Sequence, residues 1–338
     1  MFLEHIAVGW RRNDVFQDAR LEVLASRVPD LLSKARAPNT NKAYTASFNK
    51  WSTWAGKFPE VKVLPAAPSH IVLYLSELSQ HAKNFATINQ FISAISWMHA
   101  INGHVSPTNN VVVQEVINGI KRSLACPVAH KEPFTADNIK SFIAIMDKSS
   151  LTDVRNTAMI SIAFFAFLRV DELLHIRVKD VLMDSDHLQI TLPMSKTDQL
   201  RQGSTVVVAK TGGPGCPVAL LLLYLTMSNI KISKLSKQFL FSRIIFKKGV
   251  LQLFEPFKAL SYSNIRDVVK KKAGQIGLKS ELYSTHSMRA GGATAAAESG
   301  VSERIMQKHG RWACSSSKDR YVKDSLKKRL KLSANLLN

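Results

Sequence analysis

Toward its C-terminal end the chain sets a histidine and an arginine three residues apart, His286 and Arg289 in THSMRAGG. Gly310 and Trp312 follow in HGRWAC, then Tyr321 in KDRYVK. Arg289 and Trp312 are 23 positions apart, and Trp312 and Tyr321 are nine apart. Far upstream, Arg169 stands in FLRVDEL three residues before Glu172, and Lys196 stands in PMSKTDQ. These types together suit chemistry at a phosphodiester. Its stable anionic charge must be neutralised as a five-coordinate transition state forms, and guanidiniums do this with a permanent charge and fork-shaped donors matched to phosphate. A phenol, with a pKa near 10, is a poor nucleophile until a base or a strong positive field assists it.

Taken singly, each residue has an ordinary reading. Arg169 would pair with Glu172, His286 and Arg289 would open a helix with a surface pair, and Lys196 would be a solvated loop residue. Trp312 would be core, and Tyr321 is one of six tyrosines. Their joint order and spacing argue otherwise. The composition points the same way: 46 Lys and Arg against 25 Asp and Glu give +21, with a pI near 10. Residues 1–130 carry 13 basic and 8 acidic side chains (+5), and residues 131–338 carry 33 and 17 (+16). This excess favours a polyanionic partner, although charge alone also fits a solvated basic surface or an anionic membrane surface. Cys126, Cys216 and Cys314 are far apart and form no CxxC pair, so neither a disulfide framework nor a zinc ribbon is expected, and a reducing compartment fits. The N-terminus places Arg11 and Arg12 after a short apolar stretch, the reverse of a secretory signal. The uncharged runs 156–168 and 211–230 are too short in their apolar parts to span a membrane and read as buried helices.

The elements that must hold these residues fall into two groups. Residues 1–27 are assigned to an N-terminal arm, with a first helix as the alternative. Residues 39–57 place Tyr44, Phe48, Trp51 and Trp54 at helical spacing behind Thr40, a possible cap. Helical patterns continue over 70–81, 85–100 and 110–123, so 28–125 is expected to be an all-α domain. Residues 126–133, with two prolines and no apolar period, read as a linker. The catalytic-type residues lie beyond it, in 134–338. There a helix behind Thr135 and a buried helix precede Arg169, and residues 187–193 and 204–209 form a β-hairpin around the loop that carries Lys196. Helices are expected over 218–227, 263–274, 287–299 and 302–309. In the tail, Leu326, Leu330, Ala334 and Leu337 share one helical face.

The HxxR box, the GxW in place of the more usual GH, and the tyrosine nine residues on resemble the signature of the tyrosine recombinases, also called phage integrases. FLRVDEL resembles their first arginine box, with Phe167 where glycine is common, and Lys196 resembles their β-hairpin lysine. The resemblance covers residues 135–338 with specific motifs. Over the N-terminal half it rests on an all-α domain similar to the family's core-binding domain. The GxW form and the HSMRAGGATAAA context look most like recombinases of eukaryotic mobile elements of the crypton and DIRS-like kinds. Residues 231–258 form a basic addition relative to compact bacterial members.

The resemblance implies a mainly α protein: an all-α core-binding domain and an α+β catalytic domain with a small antiparallel sheet, closing on duplex DNA as a clamp. It implies a site-specific recombinase or integrase working through a 3′-phosphotyrosyl intermediate, with Tyr321 as nucleophile. Arg169 and Arg289 would neutralise the phosphate, and Lys196 would protonate the departing 5′ oxygen. His286 would accept from the phenol or hold the phosphate, and Trp312 would donate one hydrogen bond from its indole nitrogen. Because the phosphotyrosyl link conserves bond energy, no ATP, metal or other cofactor is expected. A catalytically silent DNA-binding descendant and a type IB topoisomerase-like enzyme are the alternatives. The expected partners are double-stranded DNA and, through the tail, three further copies in a homotetramer on two sites. The expected compartment is the nucleus for a eukaryotic element and the cytoplasm otherwise.

Overall fold

The computed structural model describes residues 18–127, 130–193, 203–247, 250–253 and 258–324, with 329–330 and 333–334. The chain divides into two compact units, Met1–Val128 and Ala129–Asn338. Among the described residues the first unit is helical throughout, with α1 (Ala19–Lys34), α2 (Pro38–Ala55), α3 (Pro68–His81), α4 (Phe85–Ile101) and α5 (Val111–Ser123). Helix α1 begins inside the segment assigned to an arm. Asp18 caps it by accepting from the Arg20 N–H, and it runs on through Pro29. Thr40 is not the cap of α2. Pro38, whose fixed φ and missing N–H suit a first helical position, opens that helix after Ala37.

Aromatic side chains fill the first core. The Trp51 ring lies 5.4 Å from both Trp54 and Tyr74, and Tyr74 lies 4.7 Å from Phe91. Their polar edges are satisfied: Trp51 Nε1 donates to the Val63 carbonyl and Trp54 Nε1 to Glu77.

The second unit is built around α7 (Leu151–Phe165), a helix apolar on nearly every side and buried accordingly. It follows α6 (Ala136–Ala144), which opens with a capping box between Thr135 and Asn138. Short α8 (Val170–His175) leads to a three-stranded antiparallel sheet of β1 (Val181–Met183), β2 (His187–Leu192) and β3 (Ser204–Ala209) in that order. The register pairs Leu192 with Ser204, directing Leu188, Ile190, Val206 and Val208 to the core. Helices α9 (Pro217–Met227) and α11 (His286–Glu298) pack on α7, and α10 (Tyr262–Gln275) completes the layer. The basic addition is tied into this core. Leu240 and Phe241 are buried, the Leu240 N–H donates to the Ile176 carbonyl, and buried Arg155 donates to the Ser242 carbonyl. It continues into the hairpin β4 (Ile244–Lys247) and β5 (Val250–Leu253), a pairing absent from the sequence expectation. The chain then forms α12 (Glu303–Gly310) and α13 (Ser315–Asp319).

The apolar tail stripe falls mostly outside the described residues, Leu326 and Leu337 included; Leu330 and Ala334 are exposed. No described helix is long and apolar enough to cross a membrane.

Candidate active site

The sharp turn between α7 and α8 places Arg169. Phe167 takes φ 47°, a left-handed conformation that favours glycine. Its ring meets His309 edge-on at 4.6 Å, and its carbonyl accepts from Arg289 Nη1 and from Arg311 Nη2. Arg169 then stands at the N-cap of α8. Its backbone N–H donates to Glu172 Oε2 and its Nη1 to Oε1, both at 2.8 Å.

Glu172 is almost wholly buried and receives a second arginine, Arg311, at 2.7 Å; Arg289 Nη1 lies 3.9 Å away. Burial pushes this carboxyl upward, but Arg311 and Arg169 outweigh it and hold it below the ordinary carboxylate value. Three guanidiniums thus surround one carboxylate, a cluster two charges positive in these four residues. A buried excess of charge costs stability without a counter-ion, so the cluster is matched to an anion.

Arg289 is fully buried on α11, where Gly291 and Gly292 bring the helix against Phe134, just before α6, and against the end of α7. A Cβ at Gly292 would meet the Phe164 carbonyl oxygen at 2.1 Å, and one at Gly291 the Phe134 carbonyl oxygen at 2.1 Å. The Arg289 Nη2 donates to the Gly310 carbonyl, and its Nε has no partner among the described residues. The guanidinium carbon stands 4.5 Å from the Trp312 ring centre and 5.0 Å from that of Tyr321. Burial, together with Arg169 and Arg311, presses the Arg289 pKa downward, and Glu172 and Tyr321 oppose this.

Trp312 and Tyr321 lie 5.6 Å apart, and the exposed His286 ring is 6.3 Å from Tyr321. The Trp312 Nε1 is buried with no acceptor among the described residues, so its single N–H remains available to a ligand. Tyr321 follows α13; its N–H donates to the Lys318 carbonyl, and the Tyr321 carbonyl accepts from the Thr294 hydroxyl. His309 is turned away from this group, with Nε2 on the Phe165 carbonyl. The structure therefore brings Arg169, His286, Arg289, Trp312 and Tyr321 together, while Lys196 lies outside the described residues. Arg311 is the residue the motifs miss, since nothing in the spacing singles out the position between Gly310 and Trp312.

Residues 132–328 match the phage integrase family. This chain belongs to the phage integrase family. An integrase/recombinase XerD homolog of Selenomonas ruminantium is 25% identical over 319 residues, 91% of this chain and 89% of the relative. The Cre recombinase of Escherichia phage P1 is 25% identical over 324 residues, 87% of each. Among solved structures, XerH site-specific recombinase bound to palindromic difH substrate in a post-cleavage complex is similar with a TM-score of 0.60. That match has 17% identity and covers 99% of this chain and 96% of XerH. The Tn1549 transposon integrase with circular intermediate DNA gives a TM-score of 0.50 at 11% identity, covering 98% of both chains. At these identities the two structures speak for the fold. The mainly helical architecture with small antiparallel sheets is that of the phage integrase family.

Proposed function

We propose that this phage integrase is a site-specific DNA recombinase that cleaves and rejoins double-stranded DNA through a 3′-phosphotyrosyl link to Tyr321. The observation that carries this reading is the Tyr321 ring set beside buried Arg289 and Trp312, next to a cluster with two uncompensated positive charges. In the cleavage step, Tyr321 Oη bonds to phosphorus as the bond from phosphorus to the 5′ oxygen breaks. His286 takes the phenolic proton, and Lys196 gives one to the departing 5′ oxygen. Arg169 and Arg289 neutralise the nonbridging oxygens, and Trp312 Nε1 donates to one of them. Attack by a 5′ hydroxyl on the phosphotyrosine reverses every step, so exchange needs no external energy source.

The first unit serves as the core-binding domain and the more basic second unit as the catalytic one. Four copies act on two DNA sites, each tail docking on the next copy; a head-to-tail contact of this kind closes into a ring. The GxW form and HSMRAGGATAAA support an origin in eukaryotic mobile elements of the crypton or DIRS-like kinds, and hence action in the nucleus.

The test is incubation of the protein with nicked suicide duplexes carrying its element's termini. A covalent adduct at Tyr321 is the expected result. DNA binding without any adduct would leave a DNA-binding protein only.

A further inference from the structure

Arg311 adopts φ 55° and ψ 44° at the C-cap of α12, a conformation that L side chains rarely take. Its side chain accounts for its being there. Only 7% exposed, Arg311 spreads its guanidinium over four acceptors. Nη2 donates to Glu172 Oε2 at 2.7 Å and to the Phe167 carbonyl at 2.9 Å, and Nη1 to the carbonyls of His309 at 2.6 Å and Ala166 at 3.3 Å. One planar group therefore locks the end of α12, just before Trp312, to the turn that carries Arg169. A lysine could not do this, because it lacks the rigid fork.

The charge arrangement gives the lock a purpose. Glu172 is buried and ionised, so it must be paired. With Arg311 in place, Oε2 is satisfied without help from Arg289, which stays 3.9 Å away against the Trp312 and Tyr321 rings. Without it, the next guanidinium to Oε2 among the described residues is that of Arg289, which is assigned to the phosphate, since Arg169 already holds Oε1. Pairing with the carboxylate would draw Arg289 from the nonbridging oxygens.

We propose that Arg311 is a positioning residue for strand cleavage: it occupies Oε2 of Glu172, whose Oε1 is held by Arg169, so that Arg289 remains directed at the scissile phosphate. This inference rests on the recombinase reading. The experiment compares the unsubstituted protein, Arg311→Gly and Arg311→Lys in single-turnover adduct formation on saturating suicide duplex. Each is measured with an ordinary scissile phosphate and with a neutral methylphosphonate at that position, and DNA affinity and thermal midpoint are measured alongside.

Arg311→Gly, which also relieves the left-handed backbone, is expected to cleave the ordinary phosphate more slowly by on the order of 10²-fold, the scale for losing one preorganised donor. Its DNA affinity should stay close to that of the unsubstituted protein. Arg311→Lys should fall between the two. On methylphosphonate, where little charge needs neutralising, the deficits of both variants should shrink about tenfold or more. An unaltered rate for Arg311→Gly, or a deficit equally large on both substrates, overturns the proposal and leaves Arg311 a structural staple. If Arg311→Gly does not fold, Arg311→Lys decides by the same two criteria. No adduct from the unsubstituted protein defeats the recombinase reading and this inference with it. An adduct from the unsubstituted protein with indifferent variants defeats the inference alone.

Discussion

The guanidinium carbon of Arg289 stands 5.0 Å from the centre of the Tyr321 ring, although the two residues are 32 positions apart in the chain. Arg289 is fixed by the carbonyls of Phe167 and Gly310, one from the α7–α8 turn and one from the end of α12. The position of the charge beside Tyr321 is therefore set by three separated segments, and a shift in any of them moves it. In an enclosed site such preorganised charge acts more strongly than it would in water.

Tyr321→Phe keeps the ring that packs on Trp312 and Arg289 and removes only the oxygen. The variant should bind duplex DNA with nearly unchanged affinity and form no covalent adduct on suicide substrates, as read by denaturing gel. Undiminished adduct would sink the assignment of Tyr321.

Lys196→Ala separates proton donation from charge neutralisation. A 5′-thio leaving group needs no proton, so it should restore cleavage by Lys196→Ala but not by Arg169→Ala or Arg289→Ala, each of which loses on the order of 10²–10³ in rate. Rescue of all three, or of none, contradicts the role given to Lys196.

Gly292→Ala tests the approach of α11 to α7. The added methyl would lie 2.1 Å from the Phe164 carbonyl oxygen and 2.6 Å from the Phe167 ring, neither of which can yield cheaply. Forcing it in should cost about 1–3 kcal/mol or more. The second unit's melting temperature should drop by several degrees, with cleavage impaired because Arg289 is on the same helix. A melting curve like that of the unsubstituted protein would show that the two helices separate easily.

The charge of +21 is tested by salt. Phosphate contacts release counter-ions, so DNA affinity should fall with salt at a log–log slope of about −0.9 per contact. A slope near zero by fluorescence anisotropy would refute binding through many phosphates.

Much of this arrangement is legible in the sequence because it is periodic or rests on fixed intervals. Phe48, Trp51 and Trp54 announce α2 by spacing alone, and the β-branched residues of HLQITL and STVVVA announce β2 and β3. His286, Arg289, Trp312 and Tyr321 are legible because their intervals are set by one folded segment. Arg311 is not, since its importance depends on a left-handed backbone and on Glu172, 139 residues earlier. The start of α1 is obscured by Pro29, which reads as a break, and Pro38 overrides Thr40 as the opening of α2. The β4–β5 pairing is hidden because IIFK and VLQL are only four residues each and show no strict apolar–polar alternation.

His99 makes the first unit sensitive to acid. It is wholly buried on α4, its Nε2 accepting from the Ala66 N–H at 2.9 Å and its Nδ1 facing the Ile95 carbonyl at 2.8 Å. Since Ala66 can only donate, the ring is neutral with its proton on Nδ1. A second proton would set two N–H groups against each other in a buried site. Burial accordingly lowers the His99 pKa from 6.5, and the nearby His104 adds to this, against the opposing Ile95 carbonyl. Above pH 6.5 both folded and unfolded forms are neutral at this residue, and it adds no pH dependence. Below that value the unfolded chain takes up a proton that the folded unit refuses. Stability should then fall as pH falls, at up to about 1.4 kcal/mol per pH unit, until the depressed folded pKa is reached. Four of the five tryptophans belong to the first unit, so in a Trp312→Phe background tryptophan fluorescence follows that unit alone. Urea midpoints should decline between pH 6.5 and 5 in that background, and His99→Gln, less stable at pH 7.5, should flatten the decline. If the decline is the same with and without His99, the acid sensitivity lies in other groups and the buried ring is not its source.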